Sequence, residues 1–309
     1  MKVLVTGGAG FIGTHVVDGL LAAGHRVAVV DDLSTGSTRW LAPEATLHVV
    51  DLVSPGLAEV VASERPDAVV HLAAQAAVGR SVADPARDLA VNVAGGVNLL
   101  VQCRDAGIRR LVYASSGGAA YRDTAPLPTA EDAPLGPRSP YGASKLALEL
   151  YLGVWQELHG LASVVLRLAN VYGPRQNPHG EAGVVAIFCQ RLLAGQPPVI
   201  NGDGEQTRDY VYVEDVAAAV ALALAQPAVT GPVNIGTGVE TSVNALQRAL
   251  GRASGVAVAP QYGPARPGEQ RRSCLDPSLA RRQLGWSAGV PLAEGLARTW
   301  ESFKKEVRS

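Results

Sequence analysis

The chain has 309 residues, and its 27 lysines and arginines against 28 aspartates and glutamates leave a net charge of −1. This balance predicts neither nucleic acid nor an anionic membrane surface as a partner. Hydrophobic residues make up 47% and charged residues 18% of the chain. Soluble domains average roughly 25% charged residues, so we expect a compact, core-rich protein of about two domains.

The three cysteines, Cys103, Cys189 and Cys274, stand far apart and form no CxxC pair. Their spacing predicts neither a structural zinc site nor a disulfide framework, and we expect no bound metal. The first apolar stretch is too short for a signal-peptide core, and no run of about 18 apolar residues predicts a membrane span. We therefore expect a cytoplasmic protein, since thiols stay reduced in that compartment.

Short runs rich in valine and leucine alternate with helical stretches through the first half of the chain. The runs are almost continuously apolar, which is typical of strands covered on both faces. Strands are predicted over residues 2–6, 26–30, 47–50, 68–71, 110–114 and 163–168, and helices over 14–23, 85–106 and 141–159. Strands separated by helices predict an α/β fold of the Rossmann type, with a doubly wound parallel sheet.

The pattern changes after Asn170. A glycine- and proline-rich loop over 173–183 is followed by predicted helices over 184–194 and 214–225, a glycine turn at 202–204 and a strand over 233–235, with mixed small elements from about residue 241. We predict an NAD-binding domain over 1–170, with 214–238 packing back onto it. A smaller C-terminal α/β substrate lobe is predicted from 171–213 and 239–309, with the cleft between the two.

Three glycines follow the first predicted strand and open the first helix: Gly7, Gly10 and Gly13. Glycines at this spacing allow a tight turn and let the backbone approach a pyrophosphate, which a helix amino terminus stabilises. Asp31 ends the second strand, where a carboxylate accepts a hydrogen bond from a ribose 2′-hydroxyl and repels a 2′-phosphate. The sequence therefore favours NAD over NADP. Asp51 and Leu52 follow the third strand, where the adenine would lie, although a helix cap is an equal interpretation of Asp51.

Tyr141 and Lys145 are four residues apart, so they share one face of a helix. A free tyrosine has a pKa of about 10, and a pKa near 7 needs roughly 4 kcal/mol of stabilisation of the phenolate. A nearby ammonium and a positively charged nicotinamide ring can supply it, so we expect Tyr141 to act as a base. The fifth strand ends in Ser115 and Ser116, where a hydroxyl can bind both the tyrosine and a substrate oxygen. We favour Ser116 and keep Ser115 as the alternative.

Together these motifs resemble the extended short-chain dehydrogenase/reductase superfamily, and within it the NAD-dependent epimerase/dehydratase family. The first half carries the resemblance in the glycine motif, Asp31, the run from His71 to Gln75, Asn92, the two serines and Tyr141-x-x-x-Lys145. In the second half, residues 170–175, 202–204, 208–210 and 266–269 are similar to nucleotide-sugar enzymes, above all to UDP-glucose 4-epimerases.

The resemblance implies a UDP-hexose 4-epimerase for UDP-glucose and UDP-galactose. In such enzymes the tyrosine takes the proton of the sugar 4-hydroxyl while hydride passes to tightly bound NAD. The 4-keto sugar then rotates, and hydride returns from the cofactor to its other face. The resemblance implies a cofactor site formed by Gly7, Gly10, Phe11, Ile12, Gly13, Asp31, Asp51, Leu52, Ala73, Ala74, Gln75, Asn92, Tyr141 and Lys145. It implies a UDP-sugar site formed by Ser116, Tyr141, Asn170, Val185, Asn201, Arg208, Arg266, Glu269 and Ser273.

Within that substrate site, Arg208 and Arg266 are expected to hold the diphosphate, because guanidinium groups bind phosphate bidentately. Glu269 is expected to bind the uridine ribose hydroxyls. Ser273 is expected to face the sugar 2-substituent, and its small side chain predicts that UDP-N-acetylglucosamine and UDP-N-acetylgalactosamine are also accepted. The resemblance also implies a homodimer formed through the helices around 85–106 and 141–159.

Neighbouring reactions of the family leave different residues. Dehydratases and decarboxylases carry an acid just after the serine, where Gly117 and Gly118 instead leave space and supply no acid or base for sugar C5. A UDP-glucuronate 4-epimerase ranks lower, since the predicted helix over 184–194 is apolar until Arg191. Another dehydratase or reductase of the family remains an alternative. A non-enzymatic NAD-sensing regulator ranks last, because Tyr141 and Lys145 are both present.

Overall fold

The computed structural model describes residues 1–178, 183–256, 258–265 and 270–308. In this part of the chain the strands are β1 (Lys2–Thr6), β2 (Arg26–Asp31), β3 (Thr46–Val49), β4 (Ala68–His71), β5 (Arg110–Ser116), β6 (Ala162–Leu168), β7 (Asn170–Tyr172), β8 (Val199–Asn201), β9 (Thr207–Tyr212), β10 (Gly231–Ile235), β11 (Glu240–Ser242) and β12 (Gln261–Gly263).

The helices are α1 (Phe11–Ala22), α2 (Gly56–Glu64), α3 (Val78–Ala83), α4 (Pro85–Leu89), α5 (Gly96–Asp105), α6 (Gly117–Ala120), α7 (Pro140–His159), α8 (Val184–Leu193), α9 (Val213–Ala225), α10 (Val243–Ser254), α11 (Ser278–Leu284) and α12 (Leu292–Arg308). A 3-10 turn covers Thr38–Trp40, and a π-helical segment, Ala90–Gly95, joins α4 to α5. Within the described residues, no helix is both long and apolar enough to cross a membrane.

Seven strands form one parallel sheet in the order β10-β6-β5-β4-β1-β2-β3. Val3 and Val5 face one apolar core while Leu4 faces another, so β1 is buried on both sides. This explains why the central strands are continuously apolar. The strand order reverses between β1 and β4, and in open α/β sheets ligands bind beyond the carboxyl ends of the strands at such a point. The predicted doubly wound fold is confirmed.

The chain returns to this sheet after leaving it. β10 pairs with β6 in parallel, and α9 packs against α1. The intervening residues build a second lobe with two small sheets, ordered β11-β9-β7 and β12-β8, and an apolar core of its own among α8, α10 and α12. The cleft between the lobe and the carboxyl edge of the large sheet contains the residues described below.

Two segments differ from the sequence-based prediction. The helix predicted over 85–106 is interrupted by the π-helical segment, where Gly95 approaches Leu52: a Cβ atom on Gly95 would lie 3.0 Å from the Leu52 Cβ atom. The prediction of mixed small elements after residue 241 is wrong, because α10 and α12 are long amphipathic helices. They bury side chains such as Leu246 and Trp300 in the core of the second lobe, and the burial of one apolar face is what stabilises them.

Candidate active site

The turn between β1 and α1 can be formed only by glycine at two of its positions. Gly7 has a φ of +71° and donates a hydrogen bond to the Val30 carbonyl at 2.8 Å. A Cβ atom on Gly13 would lie 2.0 Å from the Gly7 carbonyl oxygen. No side chain caps α1, and its first turn, which includes Phe11 and Ile12, contains no acidic residue. The free N–H groups at this helix end therefore suit a pyrophosphate.

Asp31 lies at the carboxyl end of β2, beside that turn. Its Oδ2 accepts a hydrogen bond from the Ala9 N–H at 3.0 Å, and its Oδ1 accepts one from the Leu33 N–H at 2.9 Å. Each oxygen keeps a further lone pair for a ribose hydroxyl. Burial raises the pKa of Asp31 above its usual value, while the two backbone hydrogen bonds lower it. The arrangement fits the ribose end of NAD.

The residues after β4 lie between the glycine turn and α7, the helix that carries Tyr141 and Lys145. A Cβ atom on Gly7 would lie 2.5 Å from the Ala73 nitrogen, so the segment of Ala73 and Ala74 runs directly against the turn. The Gln75 N–H donates to Asn92 Oδ1 at 2.8 Å. The Asn92 amide donates in turn to the Gln75 carbonyl at 3.0 Å and to Ser144 Oγ on α7 at 3.0 Å. Asn92 therefore braces the cofactor side of the cleft.

Asp51 supports the local backbone. Its Oδ1 accepts a hydrogen bond from the Val53 N–H at 3.1 Å, and its Oδ2 lies 3.6 Å from an Arg87 nitrogen. Asp51 does not cap the following helix, because α2 begins at Gly56 with Pro55 at its N-cap and has no side-chain cap. Leu52 is buried in the core between the sheet and α5.

Tyr141 and Lys145 lie on one face of α7, whose start is capped by the Ser139 hydroxyl. Lys145 Nζ donates a hydrogen bond to the Ala114 carbonyl on β5 at 3.0 Å. The same ammonium lies 6.0 Å from the centre of the Tyr141 ring and 4.9 Å from that of Tyr113. The predicted tyrosine–lysine pair is thus brought to the end of β5, next to the two serines.

The two serines have different partners. Ser116 lies close enough to the Tyr141 hydroxyl for its own hydroxyl to lower the pKa of the phenol. Ser115 donates to Glu149 Oε1 at 2.5 Å, and Glu149 is itself paired with Arg167, whose NH2 lies 2.7 Å from Oε2. Of the two candidates, Ser116 is therefore the one that reaches the tyrosine.

The pKa values around the pair are set mainly by burial. Burial raises the pKa of Tyr141 above its usual value, the hydrogen bond with Ser116 lowers it, and the charge of Asp88 raises it. The expected lowering of the Tyr141 pKa is therefore not produced by the protein alone, because desolvation disfavours the phenolate. Burial lowers the pKa of Lys145 to about 8, against the opposing charges of Asp88 and Glu149.

The two glycines after the serines differ in their surroundings. A Cβ atom on Gly118 would lie 3.9 Å from both Asn170 Oδ1 and Ser273 Oγ, so these three residues border one space beside the serine. A Cβ atom on Gly117 would lie 2.5 Å from Leu275 Cδ1. The interpretation that Gly117 leaves space for an acid is therefore wrong, because the Leu275 side chain fills that position. At Gly118, in contrast, a Cβ atom would meet its neighbours only at ordinary contact distance.

The remaining predicted substrate residues are dispersed. Arg208 is half-buried on β9 and donates to the Thr207 carbonyl at 2.7 Å. Asn201 borders a cavity of about 190 Å³ with its carbonyl held by Gln206 at 3.0 Å. The Val185 side chain is buried in the core of the second lobe, so its predicted contact with a sugar is not supported. Arg266 and Glu269 lie outside the described residues.

Three charged residues with little exposed surface in this region were not predicted from the sequence: Asp88, Glu149 and Arg167. Glu149 stands four residues after Lys145, so the helical spacing could have placed it on the catalytic face. Arg167 interrupts an otherwise apolar strand, which also signals a buried partner. Among the described residues, no group of three or more potential metal ligands is found.

The comparisons with known proteins agree with this geometry. Residues 3–236 match the family described as "NAD dependent epimerase/dehydratase family". The chain is 48% identical to the UDP-glucose 4-epimerase of Mycolicibacterium smegmatis, with 99% of each chain covered. It superimposes with a TM-score of 0.97 on the Thermotoga maritima UDP-glucose 4-epimerase with UDP-glucose, at 45% identity over 99% of this chain and 100% of that one.

Two further structures are informative. The Thermus thermophilus UDP-glucose 4-epimerase in complex with NAD gives a TM-score of 0.92 at 46% identity, with 98% of this chain and 99% of that one covered. The UDP-N-acetylglucosamine 4-epimerase of Methanobrevibacter ruminantium gives 0.94 at 33% identity, with 99% and 98% covered. The chain belongs to the NAD-dependent epimerase/dehydratase family.

Proposed function

We propose that this protein is a UDP-hexose 4-epimerase that interconverts UDP-glucose and UDP-galactose with tightly bound NAD. The observation that carries the proposal is the grouping of Ser116, Tyr141 and the Lys145 ammonium at the carboxyl end of β5, where Lys145 Nζ donates to the Ala114 carbonyl and lies 6.0 Å from the centre of the Tyr141 ring. This group lies at the carboxyl edge of the sheet, which also holds the glycine turn. The similarity to UDP-glucose 4-epimerases over nearly the full chain supports the same activity.

The residues present fit NAD. The glycine turn and the uncapped start of α1 would hold the pyrophosphate, and Asp31 would hold the adenosine ribose. Lys145, one helical turn after Tyr141, would contact the nicotinamide ribose. When bound, NAD supplies a hydride acceptor and donor for carbon 4 of the sugar.

The chain's own residues manage the proton. Tyr141 takes the proton of the sugar 4-hydroxyl and later returns it to the oxygen of the inverted centre. Ser116 orients the phenol and donates a hydrogen bond to the same sugar oxygen. The ammonium of Lys145 stabilises the phenolate, and the charge of the bound cofactor adds to this stabilisation. Because Gly118 carries no acid, the site moves no proton at C5.

The nucleotide-sugar would be held by the second lobe, residues 171–213 and 239–309, against the NAD-binding residues 1–170 and 214–238. We assign the sugar to the space between Asn170 and Ser273, and the diphosphate to Arg208 and Arg266. The uridine would lie toward Glu269 and the cavity bordered by Asn201.

A wider sugar range follows from Ser273. Its hydroxyl borders the same space as Gly118, and neither residue fills that space with a large side chain. We infer that the acetamido group of UDP-N-acetylglucosamine is accepted as well as the glucose series. The similarity at 33% identity to the UDP-N-acetylglucosamine 4-epimerase of Methanobrevibacter ruminantium supports this range.

A homodimer is supported by a stripe of exposed apolar side chains on α3, α4 and α7. Leu150 is 74% exposed and Leu158 69%, and Val82 and Leu89 are more than half exposed on the neighbouring helices. Contiguous exposed apolar surface of this kind marks an interaction site, and we infer a second copy of this chain as its partner. The three cysteines are free and buried, which agrees with a cytoplasmic location.

The function is tested by adding UDP-galactose to the purified protein and analysing both the sugar products and the absorbance of reduced nicotinamide. We expect conversion to UDP-glucose with no net consumption of NAD, and stoichiometric release of NADH would contradict an epimerase. Tyr141→Phe should abolish turnover while leaving NAD bound. Tyr151→Phe, at an exposed tyrosine on the same helix, serves as the control and should keep its activity.

A further inference from the structure

The Lys145 ammonium is a buried charge without a direct counter-ion. The residue is 5% exposed, and the hydrogen bond of its Nζ goes to the neutral Ala114 carbonyl. Among the described residues, no carboxylate lies within ion-pair distance of this nitrogen. A buried ammonium is costly unless a negative charge nearby compensates it, so the surroundings must supply one.

Most neighbouring groups cannot supply that charge. His71 on β4 is neutral, because burial and the Lys145 charge lower its pKa to about 3. Tyr113 on β5 is neutral, because burial raises its pKa well above the usual value. Tyr141 on α7 also has a raised pKa. Glu149, on the same helix, contributes less than Asp88 to the charge around Lys145, and its carboxylate is paired with Arg167 on β6.

Asp88 on α4 remains. It is 1% exposed, and its Oδ1 accepts hydrogen bonds from Gln75 Nε2 at 2.9 Å and from Asn92 Nδ2 at 3.1 Å. These two amides hold the carboxylate in a fixed position. Its Oδ2 is buried with no hydrogen-bond partner, and no cation pairs with it in the described part of the chain. The Asn92 amide donates both to this carboxylate and to Ser144 Oγ, so a single side chain joins Asp88 to the turn of α7 that carries Lys145.

We propose that Asp88 is the counter-charge of Lys145, a positioning residue that keeps the ammonium protonated in the pH range in which the enzyme works. Gln75 and Asn92 hold the Asp88 carboxylate between the segment after β4 and α7. Compensation of the Lys145 charge therefore does not depend on a mobile ion. The direction of the effect agrees, since the charge of Asp88 raises the pKa of both Lys145 and Tyr141. The catalytic consequence rests on the proposed function, whereas the charge pairing itself does not.

The pairing can be measured directly, because the chain has only four lysines, Lys2, Lys145, Lys304 and Lys305, and Lys145 alone is buried. The protein labelled with carbon-13 at the lysine ε position is titrated by NMR, with Lys145→Met to assign the signal. In Asp88→Asn we expect the Lys145 midpoint to fall by about one pH unit or more. Asp105→Asn, which removes an exposed carboxylate on α5, should leave it unchanged. An unchanged midpoint in Asp88→Asn overturns the proposal.

Turnover gives a second measurement. Removal of the Asp88 charge should lower the pKa of both Lys145 and Tyr141. In Asp88→Asn, both limbs of the plot of kcat against pH should therefore move to lower pH. A purely structural role would lower kcat at every pH without moving the limbs, and that result would overturn the proposal. Since the NMR titration needs no activity, an inactive protein would reject the proposed function and leave the pairing testable.

If Asp88→Asn does not fold, Lys145→Met tests the same pairing. It leaves the buried Asp88 carboxylate uncompensated, so the folded state should favour the protonated acid. The loss of stability relative to the unsubstituted protein should then shrink as the pH falls through the acidic range, measured by urea unfolding. A loss that is independent of pH would contradict the pairing.

Discussion

Ser115 and Ser116 are adjacent at the end of β5, and their hydroxyls have different partners. Ser116 lies beside Tyr141 and lowers the pKa of its phenol, whereas Ser115 donates a hydrogen bond to Glu149 Oε1 at 2.5 Å. Successive side chains of a strand point to opposite faces, so only one of two neighbouring serines can face the substrate. The relationship decides between the two candidates that the sequence left open.

The two serines should therefore respond differently to removal of the hydroxyl. Ser116→Ala should lower kcat by about 100-fold or more, because the hydroxyl assists proton transfer by Tyr141. Ser115→Ala should instead lower the free energy of unfolding by about 1–3 kcal/mol, because Glu149 loses a buried donor. Steady-state kinetics and urea unfolding of both variants distinguish the effects. A larger loss of kcat in Ser115→Ala than in Ser116→Ala would reverse the assignment.

The alkaline side of the pH profile should report Lys145. Burial lowers its pKa to about 8, so the ammonium is lost as the pH rises through that value. A neutral amine no longer stabilises the phenolate of Tyr141, and kcat should fall accordingly. The measurement is kcat at saturating UDP-galactose from neutral to alkaline pH, with the fold checked at each pH by circular dichroism. A rate that stays constant well above pH 8 would show that the protonation of Lys145 does not limit turnover.

Local patterns predicted most of the large sheet and the core of the site. The apolar runs of β1 and β4 and the four-residue spacing of Tyr141 and Lys145 depend on neighbours in sequence, and both appear where expected. The contacts of Gly117 with Leu275 were not predictable, because they join residues far apart in the chain. Asp88 was missed although one of its partners, Asn92, stands four residues later, because its other partner, Gln75, comes from the segment after β4.

The two glycines after the serines provide a matched pair of substitutions. Gly117→Ala places a methyl group 2.5 Å from Leu275, so it should destabilise the protein by about 1–3 kcal/mol through overpacking. Gly118→Ala meets its nearest atoms only at 3.9 Å and should leave stability nearly unchanged. Because its methyl group enters the space assigned to the sugar, it should raise KM. Thermal unfolding and kinetics of both variants test this, and equal destabilisation would contradict the difference in packing.

The size of residue 273 should set the range of sugars. In Ser273→Tyr, the ring would fill the space that Ser273 and Gly118 leave open, so turnover of UDP-N-acetylglucosamine should be lost. Turnover of UDP-galactose should be spared, since its smaller 2-hydroxyl does not need that volume. Both substrates are assayed side by side, with Ser273→Ala as the control that keeps the space open. If the two activities fall together, Ser273 does not select the sugar.

The exposed apolar stripe should hold the dimer together. Leu150 is its most exposed member, so Leu150→Glu would bury a carboxylate at the interface without disturbing the monomer core. Burying an unpaired charge is costly, and the dimer should therefore dissociate to monomers. Light scattering after size-exclusion chromatography measures the mass of each variant. The matched control is Val239→Glu, at an exposed apolar residue outside the stripe, which should remain dimeric. A Leu150→Glu protein that keeps the mass of the unsubstituted dimer would place the interface elsewhere.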